Sequence, residues 1–217
     1  MVTILQETTK NPITLIGERA GICWGADITD SEKNYKRGLD CIKCNHGRTL
    51  EFVNVEMVLE GYSARVIREW YTHIGGSPTR LQESTRYIDF SKGFDYYTPD
   101  TLEKDKDYHE CMEMISKCYN LLLAKGVSKE DAANILPLGM TTKIVDKRNL
   151  RSLSDMSNQR MCNRALGEYR KLFRDIITEL EKVSDEWKEV VKLLFIPKCE
   201  KLKYCPERYS CGRFKNN

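Results

Sequence analysis

The sequence has no apolar run long enough to cross a lipid bilayer. Its longer runs, such as residues 121–124, are far shorter than the roughly 20 residues of a membrane-spanning helix. Residues 1–10 lack the apolar stretch of a secretion signal. The nine cysteines, an odd number without such a signal, favour a reducing compartment. We therefore expect a cytoplasmic protein that does not enter a membrane.

The chain also has little net charge. A formal charge of +3 over 217 residues is too small to indicate a nucleic-acid partner. Hydrophobic residues make up 41% and charged residues 31%, which is typical of a globular fold with a solvated surface. The positive charge is concentrated in residues 198–217, which contain six Lys or Arg and two Glu.

Three common nucleotide-binding and catalytic motifs are missing. There is no Walker A loop, no G-x-G-x-x-G loop and no nucleophile elbow. No feature of the sequence marks a cysteine as an activated nucleophile. A P-loop NTPase, a Rossmann-type dinucleotide site and an α/β-hydrolase are therefore disfavoured.

Hydrophobic periodicity predicts several helices and few strands. Residues 50–60 are expected to form a strand whose apolar face, carrying Val53, Val55, Met57 and Leu59, meets the core. Further strands are expected at 3–6, 12–16, 84–90 and 141–145, and helices at 31–44, 63–73, 99–125, 128–136, 149–180 and 185–195, with Ser31 and Ser128 as caps. The pattern predicts an α+β (mixed α/β) fold with a central, mostly antiparallel sheet flanked by long helices. We expect one domain over residues 1–196 and a Cys-rich basic tail over residues 197–217.

A first polar cluster lies between a predicted helix and a predicted strand. It starts with Arg68, Glu69 and His73 and continues after a Gly-Gly break with residues 80–86. Guanidinium groups, hydroxyls and backbone N–H groups together suit a phosphate or a polar heterocycle. A salt-bridged surface turn is the alternative, because charge clusters are usually solvated.

A second polar cluster follows one side of the helix predicted from residue 149. The cluster includes several side chains that share one face at helical spacing, and its members are Asn149, Arg151, Asp155, Asn158, Arg160 and Arg164. A solvent-facing helix surface shows the same pattern, so the spacing by itself leaves both interpretations open.

The two clusters contain motifs that resemble those of flavin-dependent thymidylate synthases. His73, followed after a spacer by Ser84-Thr85-Arg86-Tyr87, is similar to the family signature Arg-His-Arg, spacer, Ser-x-Arg-Tyr. Further similarities to family segments occur at residues 46–52, 60–63, 136–138, 149–153 and 158–160. These matches follow the family's order over roughly residues 20–180, which is stronger evidence than one short motif.

The chain departs from the family pattern at three arginine positions. Thr72 and Ile74 flank His73 where the family has arginines, and Ala133 stands where the family often has another. The spacer to Ser84 is also two residues longer. Because arginines at these positions contact flavin or nucleotide phosphate in the family, we expect Arg80 or Arg48 to supply replacement charge.

The resemblance implies the fold of this family and the methylation of dUMP to dTMP. Methylenetetrahydrofolate is the implied carbon donor and NADPH the implied reductant, acting through FAD. An arginine, here Arg160, activates the uracil ring in place of a cysteine nucleophile, because a guanidinium stays charged at any working pH.

The resemblance also assigns residues to the two ligands. Those implied to bind dUMP are Arg68, Glu69, Gln82, Glu83, Ser84, Thr85, Arg86 and Arg160. Those implied to bind FAD are Arg48, Thr49, His73, Ile74, Arg80, Asn149, Leu150, Arg151 and Asp155. Family members are homotetramers with sites between subunits, so the two clusters are expected to meet across chains.

The tail carries a regular set of cysteines. Cys199, Cys205 and Cys211 are separated by five residues each, and Cys162 precedes them on a predicted helix. Four thiolates suit Zn²⁺ or an iron–sulfur cluster. The spacing matches neither the usual zinc pattern nor the ferredoxin pattern, so unrelated thiols are the alternative.

Two rival functions remain open on the sequence. A related flavoenzyme that acts on another pyrimidine nucleotide would explain the missing arginines. A non-catalytic module that binds nucleotides or nucleic acid would use the basic Cys-rich tail.

Overall fold

The computed structural model describes residues 1–216 and contains a four-stranded sheet. Strands β1 (Val2–Ile4), β2 (Asn54–Ser63), β3 (Thr79–Gln82) and β4 (Thr141–Asn149) pair in the order β1-β2-β4-β3. The sheet is antiparallel and accompanied by helices, so the predicted α+β class is confirmed. Asn217, the last residue of the predicted tail, lies outside the described residues.

Helices make up most of the remaining regular structure. In residues 1–216 they are α1 (Pro12–Cys23), α2 (Ser31–Lys43), α3 (Ala64–Tyr71), α4 (Lys106–Ala124), α5 (Lys129–Ala132), α6 (Leu150–Arg160), α7 (Gly167–Glu181), α8 (Asp185–Leu194) and α9 (Lys198–Leu202). Short 3-10 helices span Gly47–Phe52, Asp100–Leu102 and Ala133–Ile135. No helix within the described part of the chain is both long and apolar enough to span a membrane.

The chain forms two compact units. The first unit contains Met1 and residues 59–72 and 80–145, and the second contains residues 2–58 and 73–79 and the chain from residue 146 onward. Each unit has its own buried aromatic residues, Trp70 and Tyr119 in the first and Phe173 and Trp187 in the second. Burial of such large apolar side chains is the main favourable term in folding.

The apolar face of the central strand is as predicted. Val53, Val55, Met57 and Leu59 are all fully buried. The strand itself starts later than predicted, because residues 47–52 form a 3-10 helix before β2. The alternation of side chains therefore determined the face correctly and the strand boundary less well.

The predicted strand at residues 12–16 is wrong, because these residues begin α1. Pro12 occupies the first helical turn, where its missing N–H is not needed. A Cβ on Gly17 would lie 1.7 Å from the carbonyl oxygen of Asn34 in α2, and one on Gly38 would lie 1.9 Å from that of Ile13. The two glycines therefore allow α1 and α2 to pack with their backbones in contact.

The predicted strand at residues 84–90 is also wrong. The N–H groups of Tyr87 and Ile88 both donate to the carbonyl oxygen of Ser84, at 3.1 Å, so the chain turns here. Tyr87 is 77% exposed. Of the β-branched and aromatic residues that favoured a strand, Thr85 and Tyr87 are exposed and Ile88 and Phe90 are half-buried. The strand is β3, immediately upstream.

Other predicted boundaries are partly correct. Asp30 caps α2 in place of Ser31, whereas Ser128 caps α5 as predicted. The helix predicted over residues 149–180 is divided into α6 and α7 by residues 161–166.

Candidate functional site

Arg160 ends α6, and two aromatic rings contact its guanidinium group. Its Nε donates to Nε2 of His73 over 3.0 Å, and its Cζ lies 5.0 Å from the centre of the Tyr169 ring. Since a guanidinium N–H needs a lone pair, Nε2 is the unprotonated ring nitrogen of His73 in this arrangement. A cation at the C-terminus of a helix is also stabilised by the helix dipole. Arg160 therefore presents a half-buried positive charge in a defined orientation.

The turn that carries His73 lies against the start of α6. Asn149 caps this helix by accepting the N–H of Ser152 over 2.9 Å. Gly76 has a φ of +74°, and a Cβ there would lie 2.3 Å from Nδ2 of Asn149. Only glycine combines this backbone conformation with so close an approach. Gly76 and Asn149 thus position the turn from which His73 reaches Arg160.

Arg160 lines a cavity of about 760 Å³ within the second unit. Asp155, Asn158 and Gln159 of the same helix also line it. Among the described residues, Oδ1 of Asn158 is buried and has no hydrogen-bond partner. Leaving a buried carbonyl oxygen unpaired costs about 1–3 kcal/mol. The cavity therefore suits a ligand that donates an N–H close to a fixed positive charge.

A second cavity, of about 400 Å³, is basic. Arg48, Arg151, Lys201 and Asp155 are among the residues that line it. The hydrogen bond that Arg151 donates to Glu51, over 2.6 Å, is the main cause of the lowered pKa of that carboxyl. Burial lowers the pKa of Lys201, and the charge of Asp155 opposes this shift. Three cations around one cavity suit an anionic group such as a phosphate.

In the first unit, residues 82–86 are attached to strand β4 and then turn outward. The N–H of Glu83 donates to the carbonyl of Lys143, and the Glu83 carboxylate accepts the N–H of Lys143, both over 2.9 Å. Ser84 follows this anchor, with its Oγ accepting the N–H of Arg86 over 3.3 Å. The Nε of Arg86 donates to Glu130 over 3.0 Å at the surface. The anchored turn therefore exposes a guanidinium beside a serine hydroxyl.

The remaining polar side chains of the first polar cluster make their contacts within the first unit. The Oγ1 of Thr142 accepts a hydrogen bond from Gln82 over 3.3 Å. Arg80 donates to the carbonyl of Tyr71 over 2.9 Å, and its Cζ lies 4.3 Å above that ring. Arg68 and Glu69 are 4.0 Å apart at their charged groups. The charge of Arg80 is thus directed at Tyr71.

Six of the nine residues predicted to bind FAD do not line either cavity in the described part of the chain: Thr49, His73, Ile74, Arg80, Asn149 and Leu150. Thr49 donates its hydroxyl to the carbonyl of His46 over 2.7 Å. The side chain of Leu150 is fully buried, and that of Ile74 is 71% exposed.

The four predicted metal ligands all line the Arg160 cavity. Cys199 and Cys205 are buried, Cys162 is half-buried and Cys211 is exposed. Burial raises the pKa of the Cys199 thiol, Arg213 opposes this shift, and Cys162 and Cys205 add to it. No three His, Cys, Asp or Glu side chains in residues 1–216 form a group that could already hold a metal ion. The cysteines share a cavity without forming a ready-made metal site.

Asn158 and Lys201, which line the cavities, were not assigned to a ligand from the sequence, although Asn158 belonged to the second polar cluster. Asn158 lies two positions before Arg160 in the Asn-Gln-Arg motif, which was a usable signal. Lys201 lies in the tail, 46 residues beyond Asp155, and no pattern in the sequence connects the two.

Comparison with known proteins gives a consistent result. The family model described as thymidylate synthase complementing protein matches residues 4–184. A flavin-dependent thymidylate synthase from Pyrococcus abyssi is 32% identical to the chain over 171 residues, which are 75% of this chain and 69% of that protein.

Solved structures show the same fold. One is a flavin-dependent thymidylate synthase from Helicobacter pylori complexed with FAD and dUMP, with a TM-score of 0.71 and 17% identity, covering 87% of this chain and 98% of that chain. Another is the UMP/dUMP methylase PolB from Streptomyces cacaoi bound with 5-Br dUMP, with a TM-score of 0.69 and 18% identity, covering 88% of this chain and 94% of that chain. At these identities the likeness establishes the architecture.

Proposed function

The chain belongs to the thymidylate synthase complementing protein family, that of the flavin-dependent thymidylate synthases, and on this premise we propose that it methylates dUMP to dTMP with FAD as cofactor. Methylenetetrahydrofolate is the proposed carbon donor and NADPH the proposed reductant. The observation that carries the proposal is the guanidinium of Arg160, oriented by His73 and Tyr169 in a cavity that Asn158, with its unpaired Oδ1, also lines.

The chemistry of the basic cavity fits FAD. Arg48, Arg151 and Lys201 provide positive charge for its phosphates, and Asp155 provides a hydrogen-bond acceptor. When bound, FAD supplies the redox chemistry, while the protein holds and orients it. Lys201 and Arg48 are better replacements for the missing arginines than Arg80, because the guanidinium of Arg80 lies over Tyr71.

The turn at residues 84–86 is the proposed site for the dUMP phosphate. Ser84 and Thr85 offer hydroxyls and Arg86 offers a guanidinium fork. The ion pair of Arg86 with Glu130 is exposed, and such pairs contribute about 1 kcal/mol or less. A phosphate dianion can therefore displace Glu130. Glu83 anchors the turn through β4, so its proposed role is positioning.

Arg160 is the proposed electrostatic catalyst. A charge that develops on the uracil ring is stabilised most by a donor that is already oriented and partly removed from water. The hydrogen bond to His73 and the ring of Tyr169 provide that orientation.

Replacement of Arg160 tests the proposal directly. Arg160→Ala is expected to lower kcat/KM for dTMP formation by about 100- to 1000-fold, because it removes a pre-oriented donor. Arg160→Lys keeps the charge but not the planar fork, so its kcat/KM should fall between that of the unsubstituted protein and that of Arg160→Ala. Product is measured by chromatography with dUMP, NADPH and methylenetetrahydrofolate present. Normal turnover by a folded Arg160→Ala protein would show that this assignment is wrong.

The fold shared with a UMP/dUMP methylase supports one rival substrate, UMP. The two nucleotides differ by one ribose hydroxyl, so the same assay run in parallel with both gives a ratio of kcat/KM. A ratio that favours dUMP supports thymidylate synthesis. A ratio that favours UMP supports the related methylase.

We also propose a homotetramer with sites formed between subunits. Apolar side chains close to the proposed ligand residues are exposed in the single chain, with Leu81 at 72%, Ile74 at 71% and Tyr87 at 77%. Exposed apolar groups of this size are typical of surfaces that another chain covers.

A further inference from the structure

We propose that Cys162, Cys199, Cys205 and Cys211 bind a thiolate-ligated metal centre, either Zn²⁺ or an iron–sulfur cluster, that attaches the C-terminal tail to the region following α6. All four line the same cavity of about 760 Å³. One comes from the segment after α6 and three come from the tail, so a single ion or cluster would join two remote parts of the chain. This inference does not depend on the proposed function.

The tail has little else to hold it in place. Between Pro197 and Asn216 the regular structure is the five-residue helix α9 and an isolated bridge between Cys205 and Asn216, and the chain passes through left-handed backbone at Lys203 and Gly212. Leu202 and Tyr209 are exposed. Ordering each residue of such a segment costs conformational entropy. A segment that buries so few apolar groups usually requires a cross-link or a metal.

The polar contacts of the tail are mostly at the surface. Arg164 donates to the carbonyl of Tyr209 over 2.7 Å, and Arg213 donates to Asn163 over 2.9 Å and to Glu200 over 3.1 Å. Exposed contacts of this kind contribute little to stability. Their importance is geometric, because they bring Cys211 and its loop to the side of the cavity where Cys162 lies.

The thiols are gathered but not yet arranged as ligands. Cys199 and Cys205 are buried, whereas Cys211 is exposed beside Gly212. No group of three potential ligands in residues 1–216 is close enough to hold an ion. Metal binding must therefore draw the thiols closer together than they are in this structure, with the exposed Cys211 turning inward. Zinc–sulfur bonds of about 2.3 Å would draw the thiols together, and the binding energy would appear as added tail stability.

Metal analysis of the full-length protein tests the inference. The protein is purified without oxygen, and zinc, iron and acid-labile sulfide are measured per chain. About one zinc per chain indicates a zinc site, and about four irons with four sulfides indicate a [4Fe–4S] cluster. Less than about one-tenth of either, after zinc addition and cluster reconstitution, overturns the proposal.

Matched cysteine variants separate ligands from bystanders. Cys205→Ser is expected to lose at least about tenfold in metal content, whereas Cys118→Ser, an exposed cysteine of α4, should keep it. Cys205→His retains a ligand, so in a zinc protein it should retain metal; this guards against a loss caused only by misfolding. Equal metal content in Cys205→Ser and the parent protein contradicts the proposal. A mass decrease showing that the four thiols form disulfides under the same purification would also contradict the proposal.

Hydrogen exchange provides a second readout. In the metal-bound protein, amides of residues 199–216 should exchange more slowly than in protein stripped with a chelator. Unchanged exchange in the tail after removal of the metal would show that the metal is bound elsewhere.

Discussion

The hydrogen bond between Arg160 and His73 joins side chains that are 87 positions apart. His73 lies in the family's signature segment, and in this structure it orients the proposed catalytic arginine. Loss of a hydrogen bond to a charged group costs about 1.5 kcal/mol, which is roughly tenfold in rate. His73→Ala is therefore expected to lower kcat/KM for dTMP formation about tenfold, and His73→Gln, which keeps an acceptor, should recover part of it. Steady-state kinetics with dUMP as the varied substrate measure both effects.

The neighbouring Thr72 provides the control for that experiment. Its hydroxyl donates to the carbonyl of Glu69 at the helix end, over 2.7 Å, and it is exposed. Thr72→Ala should leave kcat/KM nearly unchanged. An equal loss in Thr72→Ala and His73→Ala, or no recovery in His73→Gln, would point to general disturbance of the turn.

The close packing of α1 against α2 depends on a glycine, Gly17, and this contact contributes to the stability of the fold. Because a Cβ at Gly17 would lie 1.7 Å from a backbone oxygen of α2, Gly17→Ala must push the two helices apart. Overpacking of this kind costs about 1–3 kcal/mol, and a backbone clash belongs at the upper end. We expect a lower midpoint in thermal or urea unfolding. Gly167→Ala, at the start of α7, is the control, since its Cβ would meet only the Arg170 side chain at 3.8 Å. A Gly17→Ala protein as stable as Gly167→Ala would contradict this account.

The proposed homotetramer, with sites formed between subunits, is tested by mixing two inactive variants. Arg86 and Arg160 belong to different compact units, and the family resemblance places active sites between subunits. If each site takes Arg86 from one chain and Arg160 from another, mixing Arg86→Ala with Arg160→Ala restores about a quarter of the sites after the chains exchange. Activity of the mixture is measured after subunit exchange has been verified by native mass spectrometry. No recovery in exchanged tetramers would place both arginines of a site in the same chain, and a monomer would contradict the tetramer.

Much of the local structure was predictable because local patterns encode it. The buried face of β2 follows from strict alternation, and the cap at Ser128 follows from its side-chain chemistry. The short segments 12–16 and 84–90 were mispredicted because four to seven apolar or β-branched residues fit a strand or a helical turn equally well. Residues 12–16 instead begin helix α1, which packs against α2 at Gly17. Residues 84–90 form a turn, and the strand that pairs with β4 is β3.

The sequence by itself determined the helix and strand types of the periodic segments, the family motifs and the set of chemically capable residues. Tertiary structure alone decided that Asn158 has an unpaired buried oxygen, that Lys201 lines a cavity with Arg48, and that four cysteines line the Arg160 cavity. The physical reason is the range of the interactions. Periodicity, capping and turn chemistry act over a few residues, whereas the meeting of residues 46 or 87 positions apart depends on how the packed elements bring distant segments together.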